Sequence, residues 1–176
     1  MIKVWDPVVR ILHWSLVTGF TAAYFTQEAR GPWHEWLGYF VLGIVVIRLL
    51  LGFAGSHYAR FLQFVRSPAD TLNYARSFIR PPRVRYIGHN PLGGWMILAL
   101  LFSTTLTCVS GWLYTTDRFW GVEWVEDIHE LFTWVTIAMV VLHVSGVIIG
   151  SLHDKENLVT SMVHGKKRAP SETDVV

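Results

Sequence analysis

Four apolar stretches, at 8–26, 33–53, 92–114 and 128–152, decide the solvent of this chain before they decide its fold. An α-helix rises about 1.5 Å per residue, so about twenty residues cross a hydrocarbon core about 30 Å thick. Within that core every backbone N–H and C=O must find its partner inside the protein, and helices are the form such stretches take. The 176 residues are 52% hydrophobic and 16% charged, whereas soluble domains carry about 25% charged residues. The expectation is one all-α domain over 1–165, an integral membrane four-helix bundle, with a loop at 55–90 and a polar, disordered tail at 166–176. Lys3 and Arg10 give the first stretch the basic start of a secretion signal. Phe20-Thr21-Ala22-Ala23-Tyr24 is a poor cleavage site, however, and three more spans follow, so the stretch reads as a retained helix.

An even number of spans puts both termini and the 55–90 loop on one side. That side gathers Lys3, Arg10, the six loop arginines, Lys155, Lys166, Lys167 and Arg168. The other two loops carry Arg30 and Arg118 beside Glu28, Asp117, Glu123, Glu126 and Asp127. Basic residues accumulate on the cytoplasmic face of membrane proteins, so the termini and the long loop read as cytoplasmic. Topology thereby accounts for the basic residues, and no nucleic-acid partner is needed to explain them. Trp33, Trp36, Trp120 and Trp124 fall near the outer interface, where amphipathic rings are favoured. Within the loop, Ser67-Pro68-Ala69-Asp70 supplies an N-cap followed by proline at the first helical position. Residues 71–79 then read as a short basic helix at the lipid surface, ended by Pro81-Pro82. Cys108 is the single cysteine, so no intrachain disulfide forms.

Inside the spans the costly residues are histidines. His129 and His143 stand fourteen residues apart in the fourth stretch. At about 100° per residue this returns to within roughly 40° of one face, about 21 Å further along the axis. His34 opens the second stretch on the outer side, as His129 opens the fourth, while His13 lies near the cytoplasmic start of the first at the depth of His143. Antiparallel neighbours then give two levels, His34 with His129 outside and His13 with His143 inside. The third stretch has no histidine and reads as a structural wall. Two imidazoles at each of two depths is what two non-covalent, bis-histidine haems b require, held in the bundle core by ligands from facing helices. The lack of Cys-x-x-Cys-His excludes a c-type haem, and a single thiol excludes an iron–sulfur cluster. Taken singly, a buried histidine is also a hydrogen-bonding or proton-relay residue. On the residues alone, a haem-free transporter or proton channel therefore stays open.

Two arginines and a further histidine complete the candidates. Arg48 lies fourteen residues after His34, on nearly the same face and one level deeper, where a cation needs an anion such as a haem propionate, a carboxylate or a path to the surface. Arg10, three residues before His13, is a second propionate candidate, with lipid phosphate as the alternative. Gly38 and Gly146, at helical spacing from His34 and His143, would admit a flat macrocycle but are also ordinary in membrane packing. His153 lies about 80° off the His143 face, too far round for a third ligand on that helix. It is a candidate for quinone proton exchange with Asp154 or Glu156, against the plainer reading of an interfacial histidine. His57, His89 and His164 fall at or beyond the cytoplasmic ends.

Six segments carry a family resemblance: 4–14 (Val-Trp-Asp-Pro-Val-Val-Arg-Ile-Leu-His-Trp), 34–39, 48–53, 88–93, 127–130 and 155–158. Together, over essentially the whole chain, they resemble the bacterial cytochrome b561 and nickel–iron hydrogenase b-type cytochrome family. The resemblance implies a four-helix cytochrome of the bacterial inner membrane holding two b haems through His13, His34, His129 and His143. It also implies electron transfer between a quinone pool and a periplasmic redox partner such as a cytochrome c or a dehydrogenase or hydrogenase subunit, in a lipid-embedded monomer or oligomer. Some relatives act alone as quinone oxidoreductases on superoxide or another small oxidant, and the motifs do not separate the two roles.

Overall fold

The computed structural model describes residues 1–28, 31–77, 85–172 and 174–175. In chain order it contains β1 (Ile2–Lys3), α1 (Pro7–Phe25), α2 (Trp33–Ala54), a 3-10 turn (His57–Ala59), α3 (Phe61–Phe64), α4 (Pro68–Ser77), α5 (Pro91–Tyr114), α6 (Glu123–Asp154), α7 (Leu158–His164) and β2 (Lys166–Lys167). The end of the expected 71–79 helix, its Pro81-Pro82 terminator, Arg30, Arg80 and Arg83 lie outside the described residues.

A cap followed by proline starts three of these helices. Asp6 Oδ1 accepts from Val8 N at 2.8 Å, Ser67 Oγ from Asp70 N at 3.1 Å, and Asn90 Oδ1 from Gly93 N at 2.7 Å. Each side chain satisfies a backbone donor that has no partner in the first turn, and the proline that follows has no N–H to satisfy. Among the described residues, α2, α5 and α6 are long and apolar enough to cross a membrane. Helix α1 forms where expected but is not among them, since Arg10, His13, Ser15, Thr18 and Thr21 dilute its apolar character. Helix α6 starts at Glu123, five residues before the apolar run. Glu123 and Glu126 lower hydropathy yet favour the positive end of a helix, so the helix outruns the hydrophobic segment. His129 accordingly sits in the second turn of α6 and does not open it. The 32 residues of α6 extend about 48 Å, well beyond a hydrocarbon core of about 30 Å.

The chain divides into two compact units. The first holds Met1–Arg10, Leu50–Leu98 and Val141–Val176. Here β1 and β2 pair antiparallel, Ile2 opposite Lys167 and Lys3 opposite Lys166. Gly165 makes the turn that leads into β2: its φ of 81° is left-handed, it caps α7 by donating to Ser161 O at 2.8 Å, and its carbonyl accepts from Val4 N and Trp5 N. The described residues after Gly165, in a segment polar enough to read as disordered, are thus held in place. The cause is a set of partners that polarity alone does not reveal. Arg85, 7% exposed, donates to Glu156 Oε2 at 2.8 Å and to Asp174 Oδ2 at 2.6 Å, while Ile87 N donates to Val175 O and Val175 N to Arg85 O. Trp5 and Phe64 flank the His89 ring at 4.5 and 4.7 Å between centroids. Lys167 Nζ lies 5.2 Å from the Trp5 ring and donates to Gly88 O at 3.2 Å.

The second unit holds Ile11–Leu49 and Ala99–Val140. A Cβ built on Gly19 would lie 3.0 Å from Val41 and 3.1 Å from Phe40, so the glycine sets how closely α1 and α2 approach. Three buried hydroxyls of α5 turn onto their own helix: Ser103 donates to Leu100 O, Thr107 to Ser103 O and Ser110 to Leu106 O. These bonds satisfy polar groups that lipid cannot.

Two outcomes follow for the first unit. Arg85→Gln leaves Glu156 and Asp174 without their shared cation and should weaken the attachment of the tail by about 1–3 kcal/mol, read as faster amide exchange at Ile87 and Val175. Burial pushes both carboxyls up, but the Arg168 and Ser171 N–H groups and the Arg85 guanidinium outweigh it and hold them below the ordinary range. That stability is present above the unfolded carboxyl pKa and is lost as the pH falls through the lowered folded values. Burial also pulls the Lys167 ammonium from 10.5 down to about 8, against the attraction of Glu156. The folded state therefore carries the cost of a charged, desolvated lysine below about 8 and sheds it between about 8 and 10.5. Lys167→Met should flatten the rise of the thermal midpoint across that window.

Candidate functional site

Two of the four candidate ligands come together in the second unit. The rings of His34 and His129 lie 6.0 Å apart between centroids, with planes 87° to each other. His34 is the second residue of α2, and its Nδ1 lies 2.8 Å from the carbonyl of Ala23 in the last turn of α1. His129 on α6 places its Nδ1 2.9 Å from the carbonyl of Thr107 on α5. A carbonyl only accepts, so Nδ1 carries the hydrogen in both rings and Nε2 keeps its lone pair. This is the tautomer of a histidine prepared to bind a metal, with the other nitrogen anchored.

The separation suits the same reading. A metal–imidazole bond is about 2 Å, so two such bonds plus the reach of each ring from Nε2 to its centre come to about 6 Å. The donor set fits a bis-imidazole haem iron, which needs only two protein ligands. Among the described residues no cluster of three or more His, Cys, Asp or Glu would hold a bare ion. Around the pair, carboxylates are tied to aromatic side chains: Tyr39 donates to Glu35 at 2.7 Å, Tyr114 to Glu126 at 3.0 Å and Trp134 to Glu130 at 3.3 Å.

His13, on α1, packs its ring edge-on against Trp14 at 5.1 Å and belongs to the second unit, as does Arg48 on α2. His143, on α6, belongs to the first unit, so the pairing of His13 with His143 rests on depth along the helices. Arg10 directs Nη1 to Val163 O near the end of α7, where a cation satisfies a terminal carbonyl. His153 Nδ1 meets Asp154 Oδ1 at 2.9 Å, whereas Glu156 is engaged by Arg85. Of its two expected acidic partners, His153 thus has Asp154.

Three features of this site are not apparent from the residue pattern. The orienting groups of both histidines are backbone carbonyls, which every residue owns. The helix read as a wall supplies one of them. The glycine against a candidate ligand ring is Gly111 on α5: a Cβ there would lie 2.9 Å from His129 Cε1 and 3.0 Å from its Nδ1. At Gly38 and Gly146 a Cβ would meet no protein atom within 4 Å. The one available signal was a glycine on a helix that carries no histidine itself.

A family model described as prokaryotic cytochrome b561 matches residues 4–165, nearly the whole chain. No curated protein and no solved structure matches.

Proposed function

The chain belongs to the prokaryotic cytochrome b561 family, whose members are membrane proteins that transfer electrons through haem b, and we propose that it is a di-haem carrier between the quinone pool and a periplasmic redox protein such as a cytochrome c. The observation that carries this reading is the pair His34 and His129, 6.0 Å apart, each with Nδ1 anchored to a carbonyl. In the proposed arrangement α1, α2, α5 and α6 cross the bacterial inner membrane as four spans, with both termini cytoplasmic.

His34 and His129 hold the outer haem, and His13 and His143 the inner one. Bound haem supplies reversible one-electron chemistry, which neither apolar helices nor a lone thiol provides. The residues of the chain do the rest. The anchored Nδ1–H groups fix ring orientation and keep Nε2 available. Apolar helix faces exclude water from the ligand nitrogens. Arg48 offers a cation to a propionate at the inner level, and the His153–Asp154 pair holds a proton close to the end of α6, where a quinone would exchange it with cytoplasmic water. The acidic outer loops suit a basic periplasmic partner, whose association rate should then fall steeply with salt.

Purified protein should contain two low-spin, six-coordinate haems per chain. His34→Ala and His129→Ala should each remove one spectral component, and His13→Ala and His143→Ala the other. If His13→Ala and His34→Ala remove the same component, the two-level assignment is wrong. Quinol should fail to reduce the protein at the normal rate when the inner haem is absent; normal reduction would move the quinone site to the outer side.

Arg48→Leu should lower the midpoint potential of the inner haem and spare the outer one, because a nearby positive charge stabilises the reduced state. Arg48→Lys should restore part of the shift, since a lysine lacks the planar two-pronged contact. Equal shifts in both haems, or none, would separate Arg48 from the inner site.

A further inference from the structure

We propose that Gly111 is a positioning residue for His129: by leaving the face of α5 bare, it lets the imidazole lie against the helix and donate to the Thr107 carbonyl. The inference rests on the reading of His129 as a haem ligand and adds what sets the electronic character of that ligand.

Three observations converge within one unit. The first is space. Any Cβ at position 111 would stand 2.9 Å from Cε1 and 3.0 Å from Nδ1 of His129, closer than carbon and ring atoms tolerate. The second is the bond that this space permits. Nδ1 lies 2.9 Å from Thr107 O, one turn before Gly111 on α5. A methyl group at 111 would push the ring away from α5 and lengthen that bond. The third is what surrounds that bond. Ser110 Oγ, whose hydrogen goes to Leu106 O at 2.7 Å, lies 3.0 Å from Thr107 O and 3.3 Å from His129 Nδ1, so its oxygen flanks the same ring N–H. A ring N–H given to a carbonyl makes the other nitrogen a stronger donor, and a stronger donor favours ferric over ferrous iron. Gly111 therefore holds the potential of the outer haem down. Glycine is otherwise a poor choice here, since it is less favourable than alanine in a helix interior by about 1 kcal/mol.

Gly111→Ala tests this in the full-length protein, and its better helix propensity supports folding. Gly43→Ala is the control, because Gly43 lies nine residues after His34, about 180° from it on α2, and a Cβ there meets nothing within 4 Å. Potentiometric titration and low-temperature EPR of both variants are read against His129→Ala, which identifies the outer component. The expected result for Gly111→Ala is two haems per chain, an upward shift of the outer midpoint, an altered EPR anisotropy of that haem, an unmoved inner haem and an unchanged thermal midpoint. Loss of the outer haem alone in Gly111→Ala, with Gly43→Ala intact, supports the same conclusion. An outer haem unchanged in potential and EPR, or equal disturbance of both haems, overturns it. If His129→Ala keeps both haems, the ligand reading falls and this inference falls with it. If His129→Ala loses one haem while Gly111→Ala matches the parent, this inference alone is overturned.

Discussion

Within a bilayer no water is available to complete a hydrogen bond, and most polar side chains in the spans of this protein are disposed accordingly. The hydroxyls of Ser103, Thr107 and Ser110 donate to carbonyls of their own helix. The Nδ1 groups of His34 and His129 turn outward to carbonyls of neighbouring helices. Once these bonds are made, the polar capacity left on this pair is two Nε2 lone pairs on rings 6.0 Å apart. The requirement that every polar group be satisfied thus does more than stabilise the helices. It selects the tautomer, and the tautomer leaves an Nε2 lone pair on each ring.

Outside the spans the same requirement is met by ions. Arg85, Glu156 and Asp174 bring together the entrance to α5, the chain beyond α6 and the C-terminal segment, three regions distant in sequence. Lys167 adds a buried cation over the Trp5 ring. Removing one member strands the others in a place where water reaches them poorly, so the network acts as a unit. Acid is expected to weaken it, because the carboxyls are held ionised by donors that exist only in the folded arrangement.

What could be read in advance followed from rules that act over short distances. Apolar runs placed α1, α2 and α5 to within a residue or two of their ends, and Ser67-Pro68 marked the start of α4. That His34 and His129 stand near one another was legible as a matter of depth. The first five residues of α6 were not, since hydropathy cannot see a helix that continues through Glu123 and Glu126 into water. Nor was the order of the tail, which depends on Arg85 some seventy to ninety residues away. The role of α5 was hidden more deeply. Its contribution is a carbonyl and the absence of a side chain, and neither has a residue type that announces it.

The arrangement separates two tasks that a single helix would perform badly together. His129 and His143 share α6, so the rigidity of one helix sets their axial spacing. Orientation of the His34 and His129 rings is delegated to α1 and α5: Ala23 holds His34, and Thr107 holds His129. A shift of α5 against α6 would then change the hydrogen bond of His129 while leaving the spacing along α6 untouched. In the proposed di-haem reading donor strength depends on that bond, so the position of α5 would bear on the chemistry of His129. This also explains why glycine is useful at position 111, inside a helix that would otherwise favour alanine. A side chain there would set the separation of α5 and α6 by its own bulk, whereas the bare backbone lets the imidazole set it.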